Sequence, residues 1–456
     1  MKFSTSTGLL AAAIALQNGF VTAAPTKVIK IDLSEISVLG GMTFKIHQQP
    51  NKAFKGVRKG PLALARAYSK FGVAFPDDLL SVIEKLLEEL GLAGNNTGGN
   101  ETTTAGQEIC LKEQKIENRR IGEVAAIPEE FDSEYLCPVQ IGTPPQTLNL
   151  DFDTGSSDLW VFSSLTPTAQ VAGQTVYSPE DSSTAEELTG NSWSITYGDG
   201  SSSGNGSVFM DTVSIGGITV QNQAVEVAEK VSSSFTSRAS TDGLLGLAFS
   251  DLNTVTPNQQ KTFFDNALSE LASPLFTANL KQAEAGNYNF GFIDPTEYTG
   301  DITFVPVNAS QGFWQFEAAG FRVNNSTAIS APHVAIADTG TTLLFVPDEI
   351  ASAYYAEVDG AVNDVAGAGG YTYPCSTTLP GFTALIGDYE ALIPGSIIPF
   401  APVDGNTFED ATTCFGGLQA TPSGLPFSIY GDTFLKAQFV VFHGGNQQLG
   451  FASKPL

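Results

Sequence analysis

The chain has 456 residues and a net charge of −26, and the imbalance is local: residues 1–120 carry 15 Lys and Arg against 11 Asp and Glu, residues 121–456 carry 7 against 37. A body this acidic repels nucleic acid and anionic membrane surfaces, and protonation in acid relieves its self-repulsion. Abundant Gly, plentiful aromatics, few charged residues and only 3 Met, in a chain long enough for two or three domains, favour a β-rich fold.

Residues 1–23 have the form of a secretory signal peptide, with Lys2, an apolar stretch from Leu9 to Leu16, and Val21 and Ala23 before a cleavage point. No later stretch approaches the ~20 apolar residues of a membrane span. The C-terminal Phe451–Leu456 lacks the tail of a lipid-anchor signal. Residues 24–120 are basic and helical in pattern. Pro61–Phe71 and Asp77–Leu90 both show apolar residues at amphipathic-helix spacing, and the polar tract from Asn95 to Gly106 reads as a linker with glycosylation sequons at Asn95 and Asn100. The segment closes on Arg119-Arg120, after which the acidic body begins. That pair reads either as a processing site for a removable prosegment or as a charged surface turn, and the order of signal, basic segment and linker favours the first.

From Glu134 onward short apolar or alternating runs are broken by Gly, Asn, Asp and Ser. Ser192–Tyr197, Ser207–Ile215, Ile218–Ala228 and Asp301–Val307 are predicted strands, and Gln259–Leu271 and Asp348–Val358 are predicted helices. The body divides into halves at 121–299 and 300–456. Asp153-Thr154-Gly155, at the end of the apolar run Leu148–Phe152, returns as Asp338-Thr339-Gly340 after Val334–Ala337. Counting 93 residues onward from each Asp reaches Gly246 in Leu244-Leu245-Gly246 and Gly431 in Ile429-Tyr430-Gly431. Motif and spacing repeat together, which marks a duplicated architecture with one acid supplied by each half.

Two carboxyls held close together cannot both ionise, so in acid they share a proton; one then activates a water while the other protonates an amide oxygen. Asp153 and Asp338 are the candidate pair, titrating as a unit. Gly155 and Gly340 permit tight turns and close backbone approach, and Thr154 and Thr339 have hydroxyls able to bond across the junction.

These residues resemble the pepsin-like aspartic proteinases, and within them the fungal penicillopepsin and aspergillopepsin group, from about Pro128 to the C-terminus. The resemblance implies an all-β, bilobal fold with the cleft between two related lobes. It implies Ser156 and Thr341 as supports of the carboxyls. Trp193–Ser201 is similar to the family's flap, a hairpin with Tyr197, Gly198 and Asp199 at its tip and Tyr197 bonded to Trp160. Asp199 has two readings, a carboxylate for a substrate lysine or a turn former. Phe235, Leu244, Phe313 and Ile336 match cleft-lining positions. Lys70, in Ala67–Phe71, matches a lysine by which the prosegment blocks the acids. Cys375–Cys414 is the bridge the family closes, while Cys110 and Cys137 match no expected bridge and are candidates for a second one. Four cysteines in a secreted chain allow three connectivities.

Competing readings have poor material. Gly200-Ser-Ser-Ser-Gly204 fits a serine-hydrolase elbow in spelling alone, since a strand follows it, and only His47, His333 and His443 exist for a triad. No His-Glu-x-x-His or Cys-x-x-Cys occurs, so no metal site or cofactor is expected. The expectation is a monomeric aspartic endopeptidase, secreted or vacuolar, made as a zymogen with its own propeptide as inhibitor and polypeptides as substrates, cutting beside large apolar residues. The alternative is a pepsin-fold binding or inhibitor protein without activity. Further sequons stand at Asn205, Asn308, Asn324 and Asn325, and Asp151 and Asp158 read as framework or surface.

Overall fold

Alternation over Val208–Ile215 becomes a strand that buries Val208, Asp211, Val213 and Ile215, and the adjoining apolar run becomes its antiparallel partner Ile218–Ala228. A computed structural model describes residues 59–71, 73, 76, 79, 82, 114–116, 119–196, 202–236 and 238–456. β-strands are their dominant regular structure. The largest sheet runs from Thr299–Pro306 through Gln448–Ser453, Phe439–His443, Phe276–Lys281, Glu284–Phe290, Arg119–Pro128, Tyr135–Ile141, Gln146–Asp153, Gly243–Gly246, Leu159–Phe162, Ile218–Ala228 and Val208–Ile215 to Glu186–Glu187. A second sheet orders Tyr389–Ile393, Phe382–Ile386, Gln315–Val323, Ile329–Ala337, Ser428–Tyr430, Leu344–Val346 and Leu418–Ala420. The all-β class is therefore as expected. No helix among the described residues is long and apolar enough to cross a membrane.

Each half repeats one local device. In the first, Gly243–Gly246 lies parallel to the end of Gln146–Asp153, with Gly246 opposite Asp153, and antiparallel to Leu159–Phe162. In the second, Ser428–Tyr430 lies parallel to Ile329–Ala337 and antiparallel to Leu344–Val346. The 93-residue spacing is thus the distance along the chain to the strand that flanks each acid-bearing turn. The C-terminal strands Phe439–His443 and Gln448–Ser453 leave the second half and enter the large sheet beside Phe276–Lys281 and Thr299–Pro306. Between the halves, Phe276 stacks on Phe442 at 4.6 Å and Trp314 meets Phe442 edge-on at 5.2 Å.

Helices are few. Asp348–Tyr355 agrees with the periodicity. The predicted helix Gln259–Leu271 is cut to Phe263–Ala267, capped by the Thr262 side chain, because the residues before it are held elsewhere: the Gln260 N–H donates to Asn253 Oδ1 and the Lys261 carbonyl accepts from Gln223. Pro61–Phe71 appears as the helix Lys59–Lys70. Of Asp77–Leu90 only Leu79 and Val82 are described, both buried against the second half; the linker and its sequons lie outside the described residues.

Cys375 and Cys414 are disulfide-bonded across 39 residues. Cys137 is a free thiol buried in Tyr135–Ile141, and burial, with Asp151 nearby, raises its pKa well above the usual thiol value. Cys110 lies outside the described residues.

Candidate active site

Both Asp-Thr-Gly turns emerge from the ends of buried strands and meet where the halves join. Asp153 and Asp338 are almost wholly buried. Each carboxyl is held in the same way by its own turn. Gly155 N–H donates to Asp153 Oδ1 at 2.8 Å and the Ser156 hydroxyl to Oδ2 at 2.7 Å; Gly340 N–H donates to Asp338 Oδ1 at 3.0 Å and the Thr341 hydroxyl to Oδ2 at 2.6 Å. The threonines lock the turns reciprocally. The Thr154 hydroxyl donates to the Ala337 carbonyl at 2.8 Å and accepts from Thr339 N–H at 2.9 Å, while the Thr339 hydroxyl donates to the Phe152 carbonyl at 2.5 Å and accepts from Thr154 N–H at 3.1 Å. Buried backbone groups that would otherwise be orphaned are satisfied across the junction, which fixes the spacing of the acids.

The Lys70 ammonium stands between them, 2.8 Å from Asp153 Oδ1 and 2.7 and 2.8 Å from the two oxygens of Asp338. Burial alone would push Asp153 up, but the Lys70 charge and hydrogen bond, with Ser156 and Gly155, hold it below the usual carboxylate range. Burial raises Asp338, and Asp153 adds to that against the pull of Lys70. For Lys70 itself burial favours the neutral amine, yet the two carboxylates outweigh it and raise its pKa above the usual lysine value.

The helix Lys59–Lys70 is delivered to this position by its apolar face. Ala63, Leu64, Ala67 and Tyr68 are buried with Ile336, Phe345, Phe415 and Phe427 in one cluster. Phe71, next to Lys70, packs against Phe313 at 6.2 Å and edge-on to Phe427 at 5.6 Å. Phe313 and Ile336 thus line the surface that the helix Lys59–Lys70 and Phe71 cover. Phe427 joins them although nothing in the sequence pointed to it: it lies outside the repeated motif and carries no periodic signal of its own.

Phe235 and Leu244 belong to a different wall, packed with Trp160 and Trp193; Phe235 meets Trp160 edge-on at 4.9 Å and Trp193 stacks on it at 6.2 Å. The hairpin over this wall pairs Trp193–Thr196 with Ser202–Gly206. Its expected tip residues, Tyr197, Gly198 and Asp199, lie outside the described residues.

Asp151 and Asp158, expected as framework or surface, are both buried. Burial, then Glu134 and Asp153, raise the pKa of Asp151 well above the usual range. Asp432, directly after Gly431, is likewise raised by burial, with Asp151 and Asp338 adding to the effect. A second tier of acids therefore lies behind the first and favours protonation.

The family model described as eukaryotic aspartyl protease matches residues 134–454. Endothiapepsin of Cryphonectria parasitica is 48% identical over 451 residues, covering 96% of this chain and 99% of the relative. Aspergillopepsin-1 of Aspergillus oryzae is 52% identical over 333 residues, 73% of this chain and 80% of the relative, and penicillopepsin-3 of Penicillium janthinellum is 52% identical over 331 residues, 73% and 81%.

Proposed function

This chain belongs to the eukaryotic aspartyl protease family and is an aspartic endopeptidase, and from that premise we propose that it is secreted as a zymogen and works in acid through Asp153 and Asp338. The observation that carries the reading is the single ammonium of Lys70 bonded to both carboxyls. A cation in that place offsets one of the pair's two negative charges, fills the position a nucleophilic water needs, and belongs to a segment preceding the catalytic body.

Once Lys70 leaves, the pair retains one proton between two buried acids. The ionised member takes a proton from water as the water oxygen bonds to the amide carbon, and the protonated member gives its proton to the amide oxygen. Collapse of the resulting diol breaks the C–N bond, with a proton passing to the departing nitrogen. Atoms balance with water as the only co-reactant. Extended substrates are held by strand-like backbone bonds and apolar walls; Phe313, Ile336 and Phe427 on one side and Phe235 and Leu244 on the other support a preference for large apolar residues. Cleavage after lysine would fall to Asp199. The propeptide at 24–120 acts as the intramolecular inhibitor and residues 1–23 as the secretion signal, with delivery outside the cell or to the vacuole.

The test is acid hydrolysis of a denatured protein by acid-processed material, with and without pepstatin. Pepstatin-sensitive cleavage that disappears in Asp153→Asn and in Asp338→Asn is expected. Correctly processed protein with no such activity would instead indicate an inactive binding protein.

A further inference from the structure

Five residues beyond Asp153, the Asp158 carboxyl lies buried beside that of Glu226, at 1% exposure each. The donors around the two are fixed and too few. Asn253 Oδ1 accepts from the N–H groups of Val255 and Gln260, at 3.2 and 2.9 Å, which sets the orientation of its amide. Its Nδ2 then gives a hydrogen bond to Glu226 Oε1 at 2.8 Å, with the Ser157 carbonyl at 3.2 Å and Asp158 Oδ1 at 3.4 Å. Asp158 Oδ1 also accepts from the Thr254 N–H at 2.9 Å and hydroxyl at 2.7 Å. Asp158 Oδ2 and Glu226 Oε2 are left, buried, with no N–H or O–H donor. Two adjacent carboxylates in that condition would each carry an unsatisfied oxygen and repel one another; one proton held between them answers both defects.

We propose that Asp158 and Glu226 share a single proton and, so joined, act as positioning residues that hold the Asp153 turn and release it when that proton is lost. The mechanical link is short. The Asp158 carbonyl accepts from Gly246 N–H, the Ser156 carbonyl from Ala248 N–H, and the Asp153 carbonyl from Leu247 N–H, while the Ser157 hydroxyl donates to the Phe249 carbonyl at 2.6 Å. Displacing Asp158 therefore moves the segment carrying Ser156, whose hydroxyl supports Asp153. Glu226 adds the next strand, where its register neighbours are Trp160 and Val208, neither of them titratable. The titratable group facing the pair from the acid-bearing strand is Asp153, and its charge acts against ionisation. Burial raises both members of the pair; Asp158 raises Glu226 further by its charge and hydrogen bond, while the hydrogen bond from Glu226 works the other way on Asp158 and favours its ionised form, so that the proton rests more on Glu226.

The sign follows. Groups raised in the folded state hold protons that the unfolded chain has already released, so stability is full in acid, below the ordinary carboxylate range, and is lost as pH rises through the folded values. This inference rests on Asp153 being part of the working pair. Its test uses the full chain. Wild type, Glu226→Gln and Asp158→Asn are held at steps from about pH 5 to about pH 9 and returned to acid. Surviving activity is read against each protein's own starting value, and thermal unfolding is followed over the same range. Either amide replaces the shared proton with an N–H that does not titrate, so both the survival midpoint and the fall in unfolding temperature are expected to move up by about one pH unit. Variant curves superimposed on wild type, or displaced to lower pH, overturn the proposal. So do amide variants that are unfolded in acid where wild type is folded, because each retains a donor for the orphaned oxygens. The unfolding measurement needs no substrate, so a failure of the peptidase reading remains distinguishable from a failure of the shared proton.

Discussion

Gly155 and Asp338 touch across the junction between the halves: a Cβ built on Gly155 would lie 2.6 Å from Asp338 Oδ1, and the reciprocal Cβ on Gly340 would lie 2.4 Å from Asp153 Oδ1. Neither carboxyl has room to yield, since both are buried and tied to their own turns. Gly155→Ala and Gly340→Ala are therefore expected to lower kcat about 100-fold by misplacing the opposite acid, with a stability cost of about 1–3 kcal/mol from overpacking. Turnover on a peptide substrate and thermal unfolding of the same preparations check this. An alanine variant with wild-type turnover would show that the contact does not constrain the acids.

Lys70 sets the second expectation. Its pKa is raised, so it remains charged through neutral and acid pH. Asp153, held low mainly by Lys70 against burial, contributes to the closed form above the usual carboxylate range and ceases to do so as pH falls through its folded value. Asp338, raised by burial, favours the protonated form earlier. A Lys70→Ala precursor loses the interaction that requires ionised acids, and it is expected to begin self-processing about one to two pH units higher than wild type. Processing half-times across pH, followed on gels, report the threshold. An unchanged threshold would count against Lys70 as the acid-released latch.

The two acids and their turns are legible because they occur twice. Asp153 and Asp338, their threonines and glycines, and Gly246 and Gly431 repeat at one spacing, and duplicated function leaves duplicated letters. The strand Val208–Ile215 is legible because burial on one face imposes near-alternation, and Ile218–Ala228 because its second half is a continuous buried run. The helix expected over Gln259–Leu271 forms only over Phe263–Ala267. Phe263, Phe264, Ala267 and Leu271 are buried at helical spacing, but side chains from Asn253 and Gln223 hold the preceding backbone extended, and single-residue periodicity carries no record of those partners. Asp158 and Glu226 were invisible as a pair because a lone acid in a sequence reads as surface; burial and shared donors exist only once three segments meet. Phe427 likewise owes its place beside Phe313 to the chain path.

Arg119-Arg120 looks like an open processing site in the sequence, yet it begins a strand. Arg120 N–H donates to the Glu270 carbonyl and its carbonyl accepts from Ala272 N–H, each at 2.9 Å, while Gln114–Ile116 pairs antiparallel with 119–121. A protease must pull its target into an extended, unpaired form. At neutral pH a dibasic-cutting protease is thus expected to leave the folded precursor uncut between Arg120 and Ile121, and to cut only after acid has released the prosegment. Mass spectrometry of timed digests reads the bond directly. Rapid cleavage there in the neutral, folded precursor would mean that this strand opens on its own.

Asp132 and Lys436 form an ion pair at 2.8 Å with side chains 6% and 5% exposed. It joins the segment before Tyr135–Ile141 to the end of the short helix Asp432–Leu435, which follows Gly431. Asp132 is held at a positive φ of 51°, and its other oxygen accepts from Ala283 N–H at 2.8 Å, so the carboxyl has no freedom to turn toward solvent. Lys436→Met strands a buried acid and is expected to cost about 3–5 kcal/mol. Asp132→Asn strands the ammonium in the same way. Combining them removes both uncompensated charges, so the double variant should lose less than the sum of the two single losses, by about 1–3 kcal/mol as for contacting residues. Urea unfolding of the four proteins supplies the cycle. Additive losses would show that the two residues act independently and that the halves are held together by their aromatic contacts instead.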